Sequence, residues 1–254
     1  MTNTPILAAD HISHAYPTDS GSLIALRDVS LTIQPNEFVS LVGPSGSGKS
    51  TLLHILAGLT TPQSGTVMLD GYSLRKPDRR IGFVFQDANL MPWRTVMENV
   101  ALPLELAGAS RTERDSSARD FIELMGLTGF EAAHPAALSG GMAQRVALAR
   151  ALITQPDVLL MDEPFGALDA LTREQLGEEL LRIWQAQPRS AVLMVTHSIQ
   201  EAILLADHVL VMSPRPGHIE SQFEINLPRP RTLYALGSPE AASLAKAIRA
   251  AIRI

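Results

Sequence analysis

The chain has 254 residues, of which 46% are hydrophobic and 19% are charged, and its formal net charge is −5. These values predict one large folded domain, or one domain with a sub-domain, with a buried core, and they argue against a disordered chain. They also exclude a global basic field for nucleic acid or anionic lipid. The chain contains no cysteine, which excludes disulfides and cysteine metal sites.

The beginning of the chain, from Met1 onwards, has neither a basic stretch nor a long apolar stretch, so we expect no signal peptide. No apolar run approaches the roughly 20 residues that a membrane-spanning helix requires. If the protein acts at a membrane, we expect another chain to hold it there.

The first part of the chain is predicted to be rich in β-structure. Residues 7–16 mix apolar and polar side chains without a helical stripe, and residues 26–33 alternate as a half-buried strand does. Residues 66–69 are predicted to form a strand, and Asp70-Gly71 after it is typical of a hairpin turn. Another strand is predicted over residues 81–85.

A glycine-rich stretch between a predicted strand (37–42) and a predicted helix (51–57) gives the most specific signal. It consists of Gly43, Pro44, Ser45, Gly46, Ser47, Gly48, Lys49, Ser50 and Thr51. This matches the phosphate-binding P-loop pattern G-x-x-x-x-G-K-[ST]. Its glycines let backbone N–H groups face an anion, and the helix N-terminus favours negative charge. We therefore expect Lys49 to bind the outer phosphates of a nucleotide and the Ser50 hydroxyl to ligate Mg²⁺.

The sequence pattern changes after Gln86. From about residue 95 to 155 it is helical, and we interpret residues 87–156 as a helical sub-domain set into a single α/β domain. The core of that domain would comprise about residues 1–86 and 157–220. Residues 221–254 would form a C-terminal extension with a strand and a final helix.

The second half of the core is predicted to alternate strands and helices. Continuous apolar runs at 158–161, 191–196 and 209–212 are typical of strands buried on both faces. Helices are predicted between them, over about 170–187 and 199–206. This alternation favours a parallel sheet.

Two acidic residues, Asp162 and Glu163, directly follow the first of these buried strands. Ligands gather at the carboxyl ends of strands in open α/β sheets. Neighbouring carboxylates repel each other there unless a cation compensates them. Taken alone, the pair could equally cap the next helix in solvent. After a P-loop, we expect Asp162 to lie by Mg²⁺ and Glu163 to orient or activate the attacking water.

Three single residues give weaker signals. His197 follows a predicted strand, where an imidazole can hydrogen-bond a γ-phosphate or hold a loop in place. The Gln86 amide, also at a strand end, can ligate Mg²⁺ or position water. Tyr16 could stack on adenine, although a core or rim tyrosine is equally consistent with the pattern.

A second glycine-rich helix start contains Ser139, Gly140 and Gly141, ahead of a helix predicted over residues 142–153. A serine N-cap followed by glycines suits phosphate, but an ordinary capped helix has the same pattern. The chain has one lysine-bearing P-loop. The sharper interpretation is therefore that this surface completes a nucleotide site on a second copy, in a symmetric pair of sites.

The order of these motifs resembles that of ABC-transporter ATPase subunits. The matching segments are residues 43–51, Gln86, residues 138–141, residues 158–163, residues 167–169 and His197. The resemblance extends to about residue 220. It implies an α/β fold with a P-loop NTPase (RecA-like) core, an N-terminal antiparallel β region and an inserted helical sub-domain. It also implies that the chain binds ATP with Mg²⁺ and hydrolyses it.

The resemblance assigns a role to each motif around the bound nucleotide. Tyr16 would stack on the adenine, and Gln86 would sense Mg²⁺ and the membrane partner. Lys49 would belong to the catalytic set, with Glu163 as the catalytic carboxylate and His197 as the γ-phosphate switch.

The resemblance also implies that two copies hold ATP between them. Asp169 would belong to a dimer-contact loop, and Ser139, Gly140 and Gly141 would clamp ATP bound to the opposite subunit. The commonest form of this signature has glutamine where this chain has Met142. A methionine side chain donates no hydrogen bond, so only the backbone and Ser139 contacts are expected there.

Longer stretches, over residues 85–93 and 164–173 and at Met142, resemble the nitrate/sulfonate/taurine importer subgroup. Importers of pyrimidine or thiamine precursors share much of this pattern. The implied partners are separate transmembrane permease subunits and, through them, an extracytoplasmic solute-binding protein. The implied location is the cytoplasmic face of the inner membrane, with no nucleic acid as partner.

Three other functions fit the sequence less well. A soluble ABC ATPase that acts on DNA or ribosomes usually has a long coiled-coil insertion or two nucleotide domains, and the sequence has neither. A P-loop kinase of small molecules would leave the Ser139 stretch and His197 unexplained. A regulatory module that only binds nucleotide would not need Glu163.

Overall fold

The computed structural model describes residues 4–19, 21–166, 168–187 and 189–252. The strands are β1 (Leu7–Thr18), β2 (Gly21–Ile33), β3 (Phe38–Val42), β4 (Ser64–Leu69), β5 (Tyr72–Ser73), β6 (Ile81–Val84), β7 (Val158–Asp162), β8 (Ala191–Val195), β9 (His208–Met212) and β10 (Ile219–Glu224). The helices are α1 (Lys49–Leu56), α2 (Val96–Leu106), α3 (Arg111–Leu124), α4 (Gly140–Leu152), α5 (Ala170–Ala186), α6 (Ile199–Leu205) and α7 (Pro239–Ala251). The chain divides into two compact units, residues 1–78 with 188–254, and residues 79–187.

The first unit contains an antiparallel sheet with the strand order β2-β1-β4-β5. The predicted hairpin turn is confirmed, because β4 and β5 pair antiparallel around Asp70 and Gly71. Both turn residues have positive φ, 49° and 80°, which is the geometry of the turn that matches strand twist. The sheet buries one apolar face, with Leu7, Ile12 and Leu26 fully buried.

The first unit also contains two of the three strands predicted from the apolar runs, β8 and β9. Strand β3 lies between β8 and β9 and is parallel to both, and β10 pairs antiparallel with β9. Every residue of β3 and of β8 is buried. Such strands read as continuous apolar runs because both faces are covered. The carboxyl ends of β3 and β8 lie at the same edge, and this edge carries Gly43 and Thr196.

The second unit contains the parallel pair β6 and β7 and the helices α2 to α5. Helix α3 holds most of the polar stretch that separates apolar runs in the sequence. It buries Ala118 and Ile122 and begins with a capping box between Ser110 and Glu113. The domain boundaries expected from the sequence, at about residues 87 and 156, stay a prediction. Within the described ranges, no helix is long and apolar enough to cross a membrane.

The C-terminal extension ends in the final helix that the sequence predicts. Ser238 is the N-cap of α7 and its side chain accepts a hydrogen bond from the Ala241 N–H, with Pro239 at the first helical position. Ala241 and Ile248 are buried along one stripe of the helix. The helix therefore packs through the face that carries these two residues.

Arg231 ties this extension to the end of α6. Its guanidinium donates hydrogen bonds to the backbone carbonyls of Ile203, Ala206, Ile225 and Leu227, at 2.5 to 3.0 Å. Burial lowers the pKa of Arg231 to about 10, so the group remains charged at neutral pH. A buried cation of this kind is tolerated because its donors are satisfied, and the last carbonyls of α6 gain partners that the helix cannot supply.

We expect Arg231→Ala to lower the free energy of unfolding by about 3 kcal/mol, because it leaves several buried carbonyls without their charged donor. Denaturant unfolding measures the change. Arg249→Ala on the exposed side of α7 is the matched control, with an expected change within about 0.5 kcal/mol. Equal stability of the two variants would contradict the role given to Arg231.

Candidate nucleotide-binding site

The P-loop follows the buried strand β3 and ends in helix α1, in the first unit. The Lys49 side chain is buried, with 5% of the residue exposed. Its Nζ donates to the carbonyl oxygens of Gly43 and Pro44, each at 2.9 Å. Gly48 occupies the N-cap position of α1 and has no side chain to cap the N–H groups of the first turn. The loop therefore combines a fixed ammonium group with a helix N-terminus, which is an anion site.

The curvature of this loop depends on Gly48. Its φ is +101°, a conformation that residues with side chains rarely adopt. A Cβ at this position would lie 2.8 Å from Leu26 Cδ2 and 2.9 Å from the Ala25 carbonyl oxygen. Only glycine therefore fits between the loop and strand β2.

Tyr16 lies beside the start of α1, a proximity that the sequence could not show. Its hydroxyl is 3.2 Å from Thr51 Oγ1. Its ring stands edge to face with the ring of His14, with a centroid distance of 4.8 Å. With 39% of the residue exposed, the ring is accessible next to the phosphate loop. This placement supports the expected stacking on adenine, which stays a prediction.

His197 is exposed on a tight turn between β8 and α6. The turn is closed by the buried Thr196, whose Oγ1 accepts from the Ser198 N–H at 3.0 Å and donates to the Glu201 carboxylate. Ser198 also caps α6, because its side chain accepts from the Glu201 N–H. The imidazole is thus carried by a turn with a defined conformation. The sequence interpretation missed the parts played by Thr196 and Glu201, since neither matches a motif.

In the second unit, Asp162 is the last residue of β7. The sequence prediction ended this strand one residue earlier, at Met161, because a carboxylate reads as a strand end. Asp162 is 4% exposed, and its Oδ1 has no hydrogen-bond partner among the described residues. A buried carboxylate oxygen without a partner is costly unless a cation compensates it. A hard oxygen ligand in this state fits Mg²⁺.

Glu163 and Gln86 lie at the carboxyl ends of the neighbouring strands β7 and β6. Glu163 has a φ of +48°, which is uncommon for a residue with a side chain and is often found at functional positions. The Gln86 side-chain amide donates to Glu163 Oε2 over 3.4 Å. The structure therefore brings these two predicted residues together at one edge of the strand pair.

The predicted N-cap of α4 is confirmed. Ser139 Oγ accepts from the Met142 N–H at 3.2 Å, so methionine at this position leaves the cap intact. Ser139 and Gly140 are exposed, and a Cβ on Gly140 would meet no atom within 4 Å. This open helix start is accessible to another molecule.

The loop that the sequence assigns to dimer contact lies partly within the described residues. Asp169 caps α5, and its Oδ1 accepts from the Thr172 N–H at 3.0 Å. A Cβ on Gly141 would lie 3.0 Å from Leu168 Cδ2, so this loop contacts the start of α4. Ala167 lies outside the described residues. The dimer-contact role stays a prediction.

Comparison with protein families decides the identity that these motifs suggest. A family model described as ABC transporter matches residues 26–166, more than half of the chain. The chain belongs to the ABC transporter family. The resemblance stated from the sequence motifs is thereby confirmed.

Relatives within the ABC transporter family match over most of their length. The nitrate import ATP-binding protein NrtD of Synechocystis sp. is 50% identical over 208 residues, which are 82% of this chain and 78% of that protein. The taurine import ATP-binding protein TauB of Rhizobium johnstonii is 46% identical over 96% of this chain and 95% of that protein.

The fold also matches solved members of the ABC transporter family. A dimeric ATP-binding cassette in a post-hydrolysis state, bound to ADP and Pi, is 35% identical, with a TM-score of 0.80. The match covers 87% of this chain and 100% of that chain. The predicted fold class, an α/β P-loop NTPase, is confirmed.

Within the second unit, the structure also shows that the backbone at Ala88 and Asn89 is held by a side chain that the sequence did not indicate. The Arg150 guanidinium donates to the carbonyl oxygens of Ala88 and Asn89, at 2.8 and 2.9 Å. Burial lowers the pKa of Arg150. An arginine on a helix carries no local signal for such contacts, since both acceptors are about sixty residues away in the chain.

Proposed function

We propose that this chain is the ATP-binding and ATP-hydrolysing subunit of an importer for a small anionic solute, such as nitrate, a sulfonate or taurine. The observation that carries the proposal is the buried Lys49 ammonium, fixed on two P-loop carbonyls at an uncapped helix start. The solute class follows from relatives named as nitrate and taurine import proteins. The chain itself need not contact the solute.

ATP would bind with its phosphates in the P-loop and its adenine against Tyr16. Lys49 and the N–H groups of the first turn of α1 would hold the β- and γ-phosphates. Asp162 would hold Mg²⁺, with Ser50 and Gln86 as further ligands. The ion would neutralise charge on the phosphate oxygens.

Hydrolysis would depend on Glu163. Its carboxylate would accept a proton from water as the water oxygen bonds to the γ-phosphorus and the bond to the ADP oxygen breaks. The Gln86 amide would keep that carboxylate oriented. The His197 imidazole would hydrogen-bond a γ-phosphate oxygen.

Two copies would enclose two ATP molecules, each held by one subunit's P-loop and by the other's Ser139 helix start. Closure around ATP would drive the permease from one access state to the other, and hydrolysis would reset it. The permease subunits and a solute-binding protein are the proposed partners. This arrangement would place the chain at the cytoplasmic face of the inner membrane.

One experiment tests the whole proposal. The tagged chain is expressed in its native cell, purified from detergent-solubilised membranes, assayed for ATP hydrolysis, and its partners are identified by mass spectrometry. We expect ATP turnover and a co-purifying permease. A purified chain that does not bind ATP would refute the proposal. Stimulation of the reconstituted complex by nitrate, sulfonates or taurine would identify the solute.

Residues 86–94, here called the docking segment, are the proposed contact with the permease. Hydrogen bonds from the side chain of Asn99 in α2 hold the backbone of this segment. Asn99, which is fully buried, accepts from the Met91 N–H and donates to the carbonyls of Met91, Arg94 and Thr95. On this fixed backbone the Trp93 side chain stands in solvent, with 71% of the residue exposed. A large exposed aromatic on a rigid support is typical of an interface anchor.

We expect Trp93→Ala to weaken association with the permease at least tenfold, because buried tryptophans contribute strongly at interfaces. Titration of permease in detergent measures this affinity. Tyr72→Ala is the control, since Tyr72 is similarly exposed, at 73%, at the start of β5. Equal affinity of the two variants would remove Trp93 from the docking surface.

A further inference from the structure

The end of β9 and the chain that follows it lie against the P-loop, within the first unit. A Cβ on Gly43 would lie 2.7 Å from the Met212 carbonyl oxygen. A Cβ on Gly217 would lie only 2.0 Å from the Ser47 carbonyl oxygen. Backbone therefore lies directly against backbone at both points. Residues 213–218, here called the buttress, support the P-loop from outside the P-loop motif.

Arg215 is the side chain of the buttress that reaches the P-loop. Its Nε donates to the Gly46 carbonyl oxygen at 3.0 Å. The Ser47 N–H of the same peptide group donates to the Pro44 carbonyl oxygen at 3.3 Å. The peptide between Gly46 and Ser47 is thus held at both ends. Gly46 has a φ of +74°. Because a glycine has more backbone conformations available than other residues, these contacts restrict a peptide group that glycine alone would leave mobile.

The buttress is itself held in one conformation. Ser213 Oγ lies 2.8 Å from His218 Nδ1 and accepts from the His218 N–H at 3.0 Å. The Gly217 N–H donates to the Ala25 carbonyl, and the Arg27 N–H donates to the Gly217 carbonyl. These bonds close the buttress on itself and tie it to strand β2. Arg215 therefore projects from a rigid support.

We infer that Arg215 is a positioning residue for ATP binding. By holding the Gly46 carbonyl, its guanidinium fixes the orientation of the peptide between Gly46 and Ser47. The adjacent peptide groups of the P-loop are those proposed to face the phosphates. Ordering a glycine-rich loop at the moment of binding costs affinity, and a loop that is already ordered avoids that cost. The guanidinium also adds positive charge beside an anion site. This inference rests on the proposed function, because it assigns Arg215 to the same nucleotide site.

The test compares Arg215→Met, which keeps an apolar stem but no donor, with Arg215→Lys, which keeps a charged donor. For Arg215→Met we expect a rise of about tenfold in the Kd and KM for ATP, with a much smaller change in kcat, because the loss falls on binding. Arg215→Lys should recover part of the affinity. Arg189→Ala is the control, an exposed arginine of the same unit that pairs with Asp70.

Thermal unfolding without nucleotide checks that each variant is folded, and the rise in Tm on adding ATP gives a second measure of affinity. Unchanged Kd and KM in Arg215→Met would overturn the inference while leaving ATP binding by the wild type intact. Equal losses in the Lys and Met variants would also overturn it, since a donor would then be irrelevant. If the wild-type chain failed to bind ATP, the proposed function itself would fail.

Discussion

Glu163→Gln is expected to lower the rate of ATP hydrolysis by about 10³-fold while ATP binding is retained. The carboxylate of Glu163 is the proposed acceptor of the proton from water, and an amide of the same shape cannot accept it. The P-loop is untouched, so ATP should still close two copies around it. The expected species is a stable ATP-bound dimer. Phosphate release at saturating ATP and size-exclusion chromatography in the presence of ATP measure the two effects.

Glu178→Gln provides the control for this experiment. Glu178 is exposed on helix α5 of the same unit, so it reports the effect of removing one carboxylate elsewhere. We expect it to hydrolyse ATP at the wild-type rate. Wild-type turnover in Glu163→Gln would show that Glu163 is not the proton acceptor and that another group acts as the base.

The geometry around Glu163 adds what the sequence could not supply. Taken alone, the position of Glu163 after a buried strand leaves helix capping as an equal alternative, and it is the P-loop earlier in the chain that favours a site. The structure places its backbone at a φ of +48° and its carboxylate within reach of the Gln86 amide. A helix cap would need neither feature. The two observations therefore favour the functional interpretation, and the glutamine variant tests it.

Elements that follow from local chemistry were predictable. The P-loop, strand β3 and helix α1 were found because glycines, lysine and apolar runs act over a few neighbouring residues. The Asp70-Gly71 turn and the Ser139 cap were found for the same reason. Each depends on backbone geometry that a particular residue type favours within its own turn or helix end.

Contacts between distant parts of the chain could not be predicted. Arg215 and Arg231 look like ordinary surface arginines in the sequence. Yet one holds the Gly46 carbonyl, and the other holds two carbonyls at the end of α6 and two that follow β10. An arginine has five donors on a long stem, and only the folded chain decides which acceptors they meet. That Asp162 Oδ1 meets no hydrogen-bond partner in the described part of the chain is likewise a property of packing.

The composite nature of the site leads to the second large effect. Lys49→Ala should lose ATP binding, and Ser139→Ala should hydrolyse ATP at least tenfold more slowly, because the second copy then lacks its clamp. Each pure variant has two defective sites per dimer. In a mixed dimer, however, the intact P-loop of one copy meets the intact Ser139 of the other, and one site is restored. ATP hydrolysis by equal mixtures measures this restoration.

Random pairing makes half of the dimers mixed, each with one of two sites intact, so about a quarter of the wild-type rate is expected if sites act independently. Ser110→Ala is the control for the loss of a helix cap. Ser110 caps α3 in the way that Ser139 caps α4, and both helices belong to the same unit. The Ser110→Ala variant should lose about 1 kcal/mol of folding stability but hydrolyse ATP at the wild-type rate. A mixture of Ser110→Ala and Lys49→Ala should give half the wild-type rate or less. If each site were built from one chain alone, the mixture of Lys49→Ala and Ser139→Ala would give only the mean of its two parents. Restoration above that mean is therefore a result that a P-loop and a Ser139 helix start can produce only when they belong to different molecules.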